Sequence, residues 1–242
     1  MDLKIGIINK MIKKNIIVTG GNKGIGFGLV KKLSKDHNVI FTVRSEAKGN
    51  QALENLKRSK TSSRFVLMDL TSSSSVKEGF SKIKDLFESL DVLINNAGIL
   101  IPGLKYNISS INTDEDEILK TFNTNTLGAL RVVRESDSLL KEGSRIVNVS
   151  SGMGQLEDMG SGSTSYRLSK TALNGLTAIL SKEYLERKIS VNSICPGWVQ
   201  TDMGGENADL TIDESVKKIC NFIFSKNFPT GKFLRHGVEI AW

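Results

Sequence analysis

Short runs of apolar, often β-branched residues alternate with longer segments in which apolar residues recur every three or four positions. Uninterrupted apolar runs of this length are typical of strands buried on both faces, whereas the longer period is typical of amphipathic helices. The first run, residues 15–19, is followed by glycines and then by a predicted helix over 24–34. The other predicted strands are 39–43, 64–68, 91–95, 145–149, 189–194 and 232–234, and the other predicted helices are 47–56, 74–90, 164–186 and 212–224, with two more sharing 113–141.

The alternation of strands and helices predicts an α/β fold, a Rossmann-type doubly wound parallel sheet of about seven strands with helices on both faces. We expect residues 15–242 to form a single domain, preceded by an N-terminal extension, residues 1–14, in which Met11 could be the true start. Ligands in such sheets bind at the carboxyl ends of the strands. Most of the motifs described below follow directly after a predicted strand.

The composition, with 39% hydrophobic and 24% charged residues, is that of a globular protein with a substantial core. No apolar run approaches the roughly 18 residues of a membrane-spanning helix. The start of the sequence has the features of neither a secretion signal nor a transit peptide. We therefore expect a cytoplasmic protein with no membrane partner.

The net charge of +7 raises the alternative of a nucleic-acid-binding protein. The lysines are scattered, however, with no arginine-rich stripe and few aromatic residues between them, so we expect a solvated surface and no nucleic-acid partner. Cys195 and Cys220 stand alone in the sequence, and His37 and His236 are far apart. Because these residues lack the spacing of metal ligands, we expect two free thiols and no metal site.

Residues 19–26, Thr-Gly-Gly-Asn-Lys-Gly-Ile-Gly, join the first predicted strand to the first predicted helix. Glycines at such a junction let the backbone approach a pyrophosphate closely, and the helix N-terminus offers free N–H groups to its negative charge. The spacing differs from the common dinucleotide fingerprint, but the placement between strand and helix is the one that the fingerprint requires. The loop therefore predicts a site for the phosphates of a dinucleotide.

Tyr166 and Lys170 lie four residues apart in the helix predicted over 164–186, so they share one face about one turn apart. A cation held beside a phenol lowers the pKa of the phenol from about 10 toward neutrality. Tyr166 would then be able to donate a proton to a carbonyl oxygen during hydride transfer. Such pairs also occur by chance on many helices, and it is the combination with the glycine-rich loop that indicates a nicotinamide-dependent oxidoreductase.

Four ordered motifs resemble the short-chain dehydrogenase/reductase family: the 19–26 loop, Asn-Asn-Ala-Gly at 95–98, Tyr166 with Lys170, and Cys-Pro-Gly at 195–197. The resemblance extends over most of the chain. It implies that the glycine loop binds the cofactor diphosphate, that the second motif borders the adenosine ribose, and that the last lies beside the nicotinamide. The cofactor-binding positions that it implies are Gly20, Asn22, Lys23, Gly24, Ile25, Gly26, Asp69, Leu70, Asn96, Ala97, Gly98, Tyr166, Lys170, Pro196, Gly197, Val199 and Thr201.

The charge near the end of the second predicted strand distinguishes between the two nicotinamide cofactors. A carboxylate there would accept hydrogen bonds from a ribose 2′-hydroxyl and repel a 2′-phosphate. In this chain Val43 occupies the position, Arg44 follows it, and Lys23 projects from the glycine loop. Either cation alone could be an ordinary solvated residue, but two cations without a carboxylate favour NADPH/NADP+ as the cofactor.

The family resemblance adds Ser151 and Asn125 to the catalytic set. It implies that the Ser151 hydroxyl steadies the substrate carbonyl oxygen, with Ser150 as the rival serine. It also implies that Asn125 supports a water-linked proton relay through Lys170. Asn123 is the rival asparagine, since asparagines inside helices usually hydrogen-bond locally.

The interval between Ser151 and Tyr166 is slightly longer than is usual in the family, so extra residues in the intervening loop could displace the serine. Residues 152–165 and 203–209 are the expected walls of the substrate pocket. The apolar side chains there suit small aldehydes, ketones or quinones, although Met and Trp more often pack in a core. These side chains are Met153, Leu156, Met159, Trp198 and Met203.

Residues 195–205, 230–237 and 241–242 further resemble the carbonyl-reductase members of the family, so we expect NADPH-dependent reduction of a small, largely apolar carbonyl compound. Monomeric members of that group often carry a long insertion before the catalytic tyrosine. This chain lacks the insertion, and the resemblance implies a homodimer or homotetramer. Two alternatives stay open: an enzyme for another hydroxy/keto pair (steroid, sugar or acyl), or a catalytically silent NADPH-binding sensor, which would not need the full proton-transfer set.

Overall fold

Eight strands and seven α-helices occur within the part of the chain that the structure, a computed structural model, describes: residues 12–61, 63–101 and 109–242. Most of the predicted N-terminal extension lies outside these residues. The strands are β1 (Asn15–Val18), β2 (Asn38–Val43), β3 (Arg64–Leu67), β4 (Leu90–Asn95), β5 (Leu140–Val149), β6 (Ser190–Cys195), β7 (Phe233–Arg235) and β8 (Val238–Ile240). The helices are α1 (Gly24–Leu33), α2 (Glu46–Arg58), α3 (Ser73–Lys84), α4 (Glu115–Phe122), α5 (Gly128–Ser136), α6 (Thr164–Glu183) and α7 (Ile212–Ile223).

The described strands form one sheet in the order β3-β2-β1-β4-β5-β6-β7-β8. Strands β1 to β7 pair in parallel, and β8 pairs antiparallel to β7. The chain runs outward from β1 to β3 and then crosses back to place β4 on the other side of β1, so the direction of winding reverses between β1 and β4. The predicted Rossmann-type doubly wound sheet is confirmed, with eight strands instead of about seven.

The additional strand is β8, which forms the edge of the sheet. The sequence predicts residues 232–234 as the edge strand, but the corresponding strand, β7, lies between β6 and β8. A turn formed by His236 and Gly237 connects β7 to β8, and both residues have positive φ, 56° and 85°. Hairpins with two-residue turns favour this conformation because it matches the twist of the strands. A three-residue strand is too short to show an alternating pattern in the sequence, which is why β8 was missed.

The side chains of the central strands alternate between two apolar cores, one on each face of the sheet. In β1, Ile16 and Val18 belong to the core that includes buried residues of α1, α2 and α7. Ile17 belongs to the opposite core, together with residues of α3, α5 and α6. Both faces of such a strand must therefore be apolar, which explains its uninterrupted apolar sequence. Within the described ranges, no helix has the length and apolar character needed to cross a membrane.

The segment predicted as two helices over 113–141 contains α4 and α5, but a π-helical turn, Asn123–Leu127, joins them without a break. A short 3-10 turn, Asp137–Leu139, then ends the helical part before Leu140, where β5 begins. Leu140 pairs with Leu90 ahead of a register shift in the β4–β5 ladder. The prediction that helix continued to residue 141 was wrong, because apolar spacing alone does not distinguish the end of a helix from the start of a buried strand.

Two helix-interior glycines, Gly28 in α1 and Gly175 in α6, provide a matched test of the packing. A Cβ on Gly28 would lie 2.7 Å from Ile212 Cγ2 and 2.9 Å from Val216 Cγ2 of α7, whereas a Cβ on Gly175 meets no described atom within 4 Å. We expect Gly175→Ala to raise the free energy of unfolding by about 0.5–1 kcal/mol through helix propensity. Gly28→Ala should lower it by about 1–3 kcal/mol, because stiff β-branched side chains of α7 must move. Urea unfolding measures both, and equal stabilisation would contradict the close approach of α1 to α7.

Candidate active site

Glycine is required at several positions of the segment after β1, either by the backbone conformation or by lack of space. Gly20 and Gly24 have positive φ values of 66° and 55°, which glycine adopts without strain. A Cβ on Gly26 would lie 2.3 Å from the carbonyl oxygen of Gly20 and 2.4 Å from Asn96 Nδ2. Helix α1 begins at Gly24 without a side-chain cap from Lys23, which leaves its first N–H groups for an anion. The other predicted residues of this loop, Asn22 and Ile25, are half-buried.

Residues 95–98 are fastened to the glycine loop through Thr19. The Thr19 hydroxyl oxygen accepts the main-chain N–H groups of Asn96 and Ala97, both at 3.0 Å. The Asn96 side chain donates in return to the carbonyl oxygens of Thr19 at 2.9 Å and Gly20 at 3.3 Å. Two motifs that are distant in sequence thus form one wall at the carboxyl ends of β1 and β4, where doubly wound sheets bind ligands.

Arg44 and Asp69 lie just beyond the ends of the neighbouring strands β2 and β3. Asp69 Oδ1 accepts the main-chain N–H of Thr71 at 3.0 Å and its hydroxyl at 2.8 Å. The Thr71 N–H is the main cause that holds the pKa of Asp69 below its ordinary value, and the positive charges of Arg44 and Arg131 act in the same direction. Arg44 is exposed and therefore accessible to an anionic ligand. Leu70 is buried, and its carbonyl oxygen accepts Arg131 Nη1 at 2.9 Å.

The loop after β6 reaches across to the glycine loop. Lys23 Nζ lies 2.7 Å from Asp202 Oδ2, and the two side chains are 68% and 80% exposed. The hydrogen bond from Lys23 lowers the pKa of Asp202 below its ordinary value, although an exposed pair contributes little stability. A Cβ on Gly24 would lie 3.5 Å from Thr201 Cγ2, so the two loops are in contact. The other predicted residues here are Pro196 and Gly197, which follow β6 directly, and the buried Val199.

Lys170 and Tyr166 project from α6 into the buried region at the end of β5. Lys170 is 3% exposed and Tyr166 is 7% exposed. Lys170 Nζ donates to the carbonyl oxygen of Val149 at 2.8 Å and lies 5.6 Å from the centroid of the Tyr166 ring. Burial lowers the pKa of Lys170 from 10.5 to about 8, because an enclosed ammonium group loses hydration. The predicted pair therefore occurs on one helix face, beside the end of a central strand.

Asn125 lies in the π-helical turn between α4 and α5 and is fully enclosed. Its Oδ1 accepts the Ile99 N–H at 2.7 Å, and its Nδ2 donates to the Ile99 carbonyl oxygen at 2.9 Å and to Ser169 Oγ at 3.0 Å. A Cβ on Gly98 would lie 3.3 Å from Asn125 Oδ1 and 3.4 Å from Lys170 Nζ. Asn125 and Lys170 thus approach the same glycine, and π-helical turns are frequent at functional sites.

The two serines after β5 have different surroundings. Ser150 is buried, and its hydroxyl donates to the Lys170 carbonyl oxygen at 3.3 Å. Ser151 is half-buried, and its hydroxyl oxygen accepts the Met153 N–H at 3.1 Å, which starts a 3-10 turn, Gly152–Gly154. A Cβ on Gly154 would lie only 2.6 Å from the carbonyl carbon of Lys170. The loop therefore packs on the backbone of α6 at Lys170, with Ser151 as the more accessible serine.

The predicted residues thus collect at the carboxyl ends of the strands in two parts. An open part, with a glycine cradle and the exposed cations Lys23 and Arg44, suits an anionic dinucleotide. An enclosed part, with Tyr166, Lys170 and Asn125, suits the transfer of a proton. Two contributors were not predicted: Asp202, which meets Lys23, and Ser169, which accepts from Asn125. The sequence signal that could have indicated Ser169 is its position between Tyr166 and Lys170.

Comparison with known proteins gives a consistent picture. A family model described as short chain dehydrogenase matches residues 14–211. The 3-oxoacyl-(acyl-carrier-protein) reductase of Aquifex aeolicus is 31% identical over 228 residues, covering 93% of this chain and 86% of the relative. Carbonyl reductase (NADPH) 1 of Bos taurus is 29% identical, covering 93% of this chain and 97% of the relative. The crystal structure of an NADPH-bound carbonyl reductase from chicken fatty liver has a TM-score of 0.84 at 28% identity, covering 95% of this chain and 99% of that one.

The enclosure of Lys170 predicts a measurable dependence of stability on pH. Since the pKa of Lys170 falls from 10.5 unfolded to about 8 folded, protonation opposes folding below pH 8, and this penalty disappears as pH rises toward 10.5. The unfolding free energy of the native chain minus that of Lys170→Met should therefore increase by about 2 kcal/mol between about pH 7 and pH 9.5. Denaturant unfolding at both pH values measures it. Lys182→Met, on the exposed side of α6, is the control, and a flat difference for Lys170→Met would contradict the enclosure.

Proposed function

We infer that this chain, which belongs to the short-chain dehydrogenase family, is an NADPH-dependent reductase of the carbonyl group in small, largely apolar aldehydes, ketones or quinones. The observation that carries this proposal is the enclosed pair of Tyr166 and Lys170 on one face of α6, with Asn125 reaching the same place. The NADPH-bound structural relative and the NADPH-type carbonyl reductase from Bos taurus support the cofactor and the type of reaction.

The residues of the open part fit a phosphorylated dinucleotide. The glycine cradle and the free N–H groups of α1 would hold the diphosphate, because side chains are absent where the backbone must approach it. Arg44 and Lys23 would hold the 2′-phosphate. Lys23 is paired with Asp202, but both side chains are exposed, so a dianionic phosphate can replace the carboxylate at little cost.

The enclosed residues would manage the proton. When bound, the reduced nicotinamide supplies the hydride to the carbonyl carbon. The Tyr166 hydroxyl would donate its proton to the carbonyl oxygen, and Ser151 would orient and polarise that oxygen through a hydrogen bond. The Lys170 ammonium, 5.6 Å from the centroid of the tyrosine ring, would favour the phenolate that is left behind. Asn125 would link Lys170 to a water-mediated proton supply.

Apolar side chains on the two loops beside the site support a small apolar substrate. Leu156 and Met159 on the loop after β5 and Trp198 and Met203 on the loop after β6 are large apolar residues that stay 40–64% exposed. Exposed apolar side chains next to convergent polar groups are typical of small-molecule sites. Assembly into a homodimer or homotetramer stays a prediction.

A second candidate function is the reduction of a 3-oxoacyl thioester. The relative from Aquifex aeolicus, at 31% identity, has this activity in its name. The same proton-transfer residues would serve, and only the pocket would differ. A panel that contains aldehydes, ketones, quinones and an acetoacetyl thioester distinguishes the candidates, with the absorbance of reduced nicotinamide as the signal. Tight NADPH binding with no turnover of any compound would favour the sensor.

Replacement of Tyr166 by Phe tests the proton donor. We expect the rate of NADPH oxidation with the best carbonyl to fall by about a thousandfold, since the hydroxyl proton is lost while the ring stays buried. The dissociation constant for NADPH, followed by fluorescence, should change by less than about twofold. Tyr184→Phe is the control, because the Tyr184 hydroxyl bonds to Asp137 at 2.7 Å, away from the site. Turnover retained in Tyr166→Phe would refute the assignment.

Replacement of Arg44 by Asp tests the choice of cofactor. A carboxylate after β2 would repel the 2′-phosphate and accept hydrogen bonds from a 2′-hydroxyl, so the ratio of kcat/KM for NADPH to that for NADH should fall about a hundredfold. Arg58→Asp makes the same change of charge at the other end of α2, on an exposed side chain, and should leave the ratio unaltered. A native preference for NADH would contradict the assignment of Lys23 and Arg44.

A further inference from the structure

We propose that Trp242 is a positioning residue for the carbonyl substrate, because it holds the middle of the loop formed by residues 152–163. This inference rests on the function proposed above, in which that loop forms one wall of the substrate pocket. Trp242 follows β8, the strand that the sequence did not predict, and has no place in the catalytic or cofactor machinery.

The contact is made by the main chain of Trp242. Its carbonyl oxygen accepts the N–H of Leu156 at 2.9 Å and the N–H of Glu157 at 3.2 Å. Two consecutive amides directed at one oxygen fix both the position and the orientation of a loop segment. Leu156 therefore presents its exposed side chain from a tethered backbone.

The indole of Trp242 anchors this oxygen to the core. Its ring stacks on Phe233, with the ring centroids 5.8 Å apart and the planes 21° from parallel. Phe233 is fully buried in β7, where it pairs with Ser193 of β6 on one side and with Ile240 of β8 on the other. The tether thus ends on a residue that cannot move independently of the sheet.

Several other contacts hold the two ends of the loop. Gly152 donates its N–H to Cys195 Sγ at 3.2 Å, and the Gly154 carbonyl oxygen accepts the Thr171 hydroxyl and Asn174 Nδ2, both at 3.1 Å. At the far end, the carbonyl oxygen of Gly162 accepts Arg167 Nε at 2.9 Å. These contacts fix the ends of the loop against β6 and α6. At the centre, where Leu156 and Met159 are exposed, Arg167 Nη1 reaches Met159 Sδ at 4.0 Å. The main-chain N–H groups of residues 156 and 157 donate to Trp242, which therefore fixes the backbone of this part of the loop.

If the centre of the loop is loosened, binding of the carbonyl substrate should weaken. Binding of the cofactor should not change, because the glycine cradle and its cations lie on other loops. In Trp242→Ala, hydrogen exchange of the Leu156 and Glu157 amides should accelerate by at least about tenfold. The KM for the carbonyl should rise about fivefold with the NADPH dissociation constant unchanged. Trp242→Phe keeps an aromatic ring on Phe233 and should restore both values. Val238→Ala removes an exposed apolar side chain from the same hairpin and should change neither.

Unchanged exchange in Trp242→Ala would overturn the proposal, as would faster exchange with an unchanged KM. An equal rise in the NADPH dissociation constant would also overturn it, because it would indicate general loosening. If Trp242→Ala does not fold, the native chain decides: slow exchange at both amides supports the tether, and exchange at the rate of an open chain refutes it. Exchange is measured without substrate, so a failure of the proposed carbonyl reduction is recognised separately, by an absence of turnover in the native chain.

Discussion

The amine of Lys170 is enclosed, and β5, α6 and the segment after β4 meet around it. The Val149 carbonyl oxygen accepts its hydrogen bond at 2.8 Å, and the centroid of the Tyr166 ring lies 5.6 Å away. The close approach depends on Gly154, where a Cβ would lie 2.6 Å from the carbonyl carbon of Lys170, and is helped by Gly98, where a Cβ would lie 3.3 Å from Asn125 Oδ1. A buried ammonium is tolerated only with such partners. Packing in this part of the molecule must therefore supply polar partners for the charge of Lys170 as well as apolar contacts.

Cations at this site act in two different ways because their burial differs. Lys23 and Arg44 are exposed, so water and salt weaken their fields and they interact strongly only with a group that comes into contact. Lys170 is in a poorly hydrated place, where a charge is felt over a longer distance. Exposed cations such as Lys23 and Arg44 thus suit selection between cofactors, whereas a buried cation such as Lys170 suits the support of a proton transfer.

The sheet was predictable because strands buried on both faces leave a clear apolar signal, as β1 does with Ile16, Ile17 and Val18. The motif residues were predictable as a group, because parallel strands carry their following loops to one edge. Strand β8, the π-helical turn and the early start of β5 were not, since each depends on a pairing or a local backbone geometry that apolar spacing does not encode. Contacts such as Lys23 with Asp202, or Trp242 with Leu156, join residues that only the folded chain brings together.

The π-helical turn at Asn123–Leu127 holds more residues than an α-helical turn. The number of residues between α4 and α5 is therefore constrained. Each residue in a helix turns the following side chains by about 100°. The extra residue allows Asn125 to bond to Ile99 while Val132 and Val133 of α5 still face the core. A one-residue deletion in this turn would restore a regular helix. Asn125 could then not face Ile99 while Val132 and Val133 face the core. An insertion or deletion in this turn would therefore break either the bond between Asn125 and Ile99 or the packing of α5 on the core.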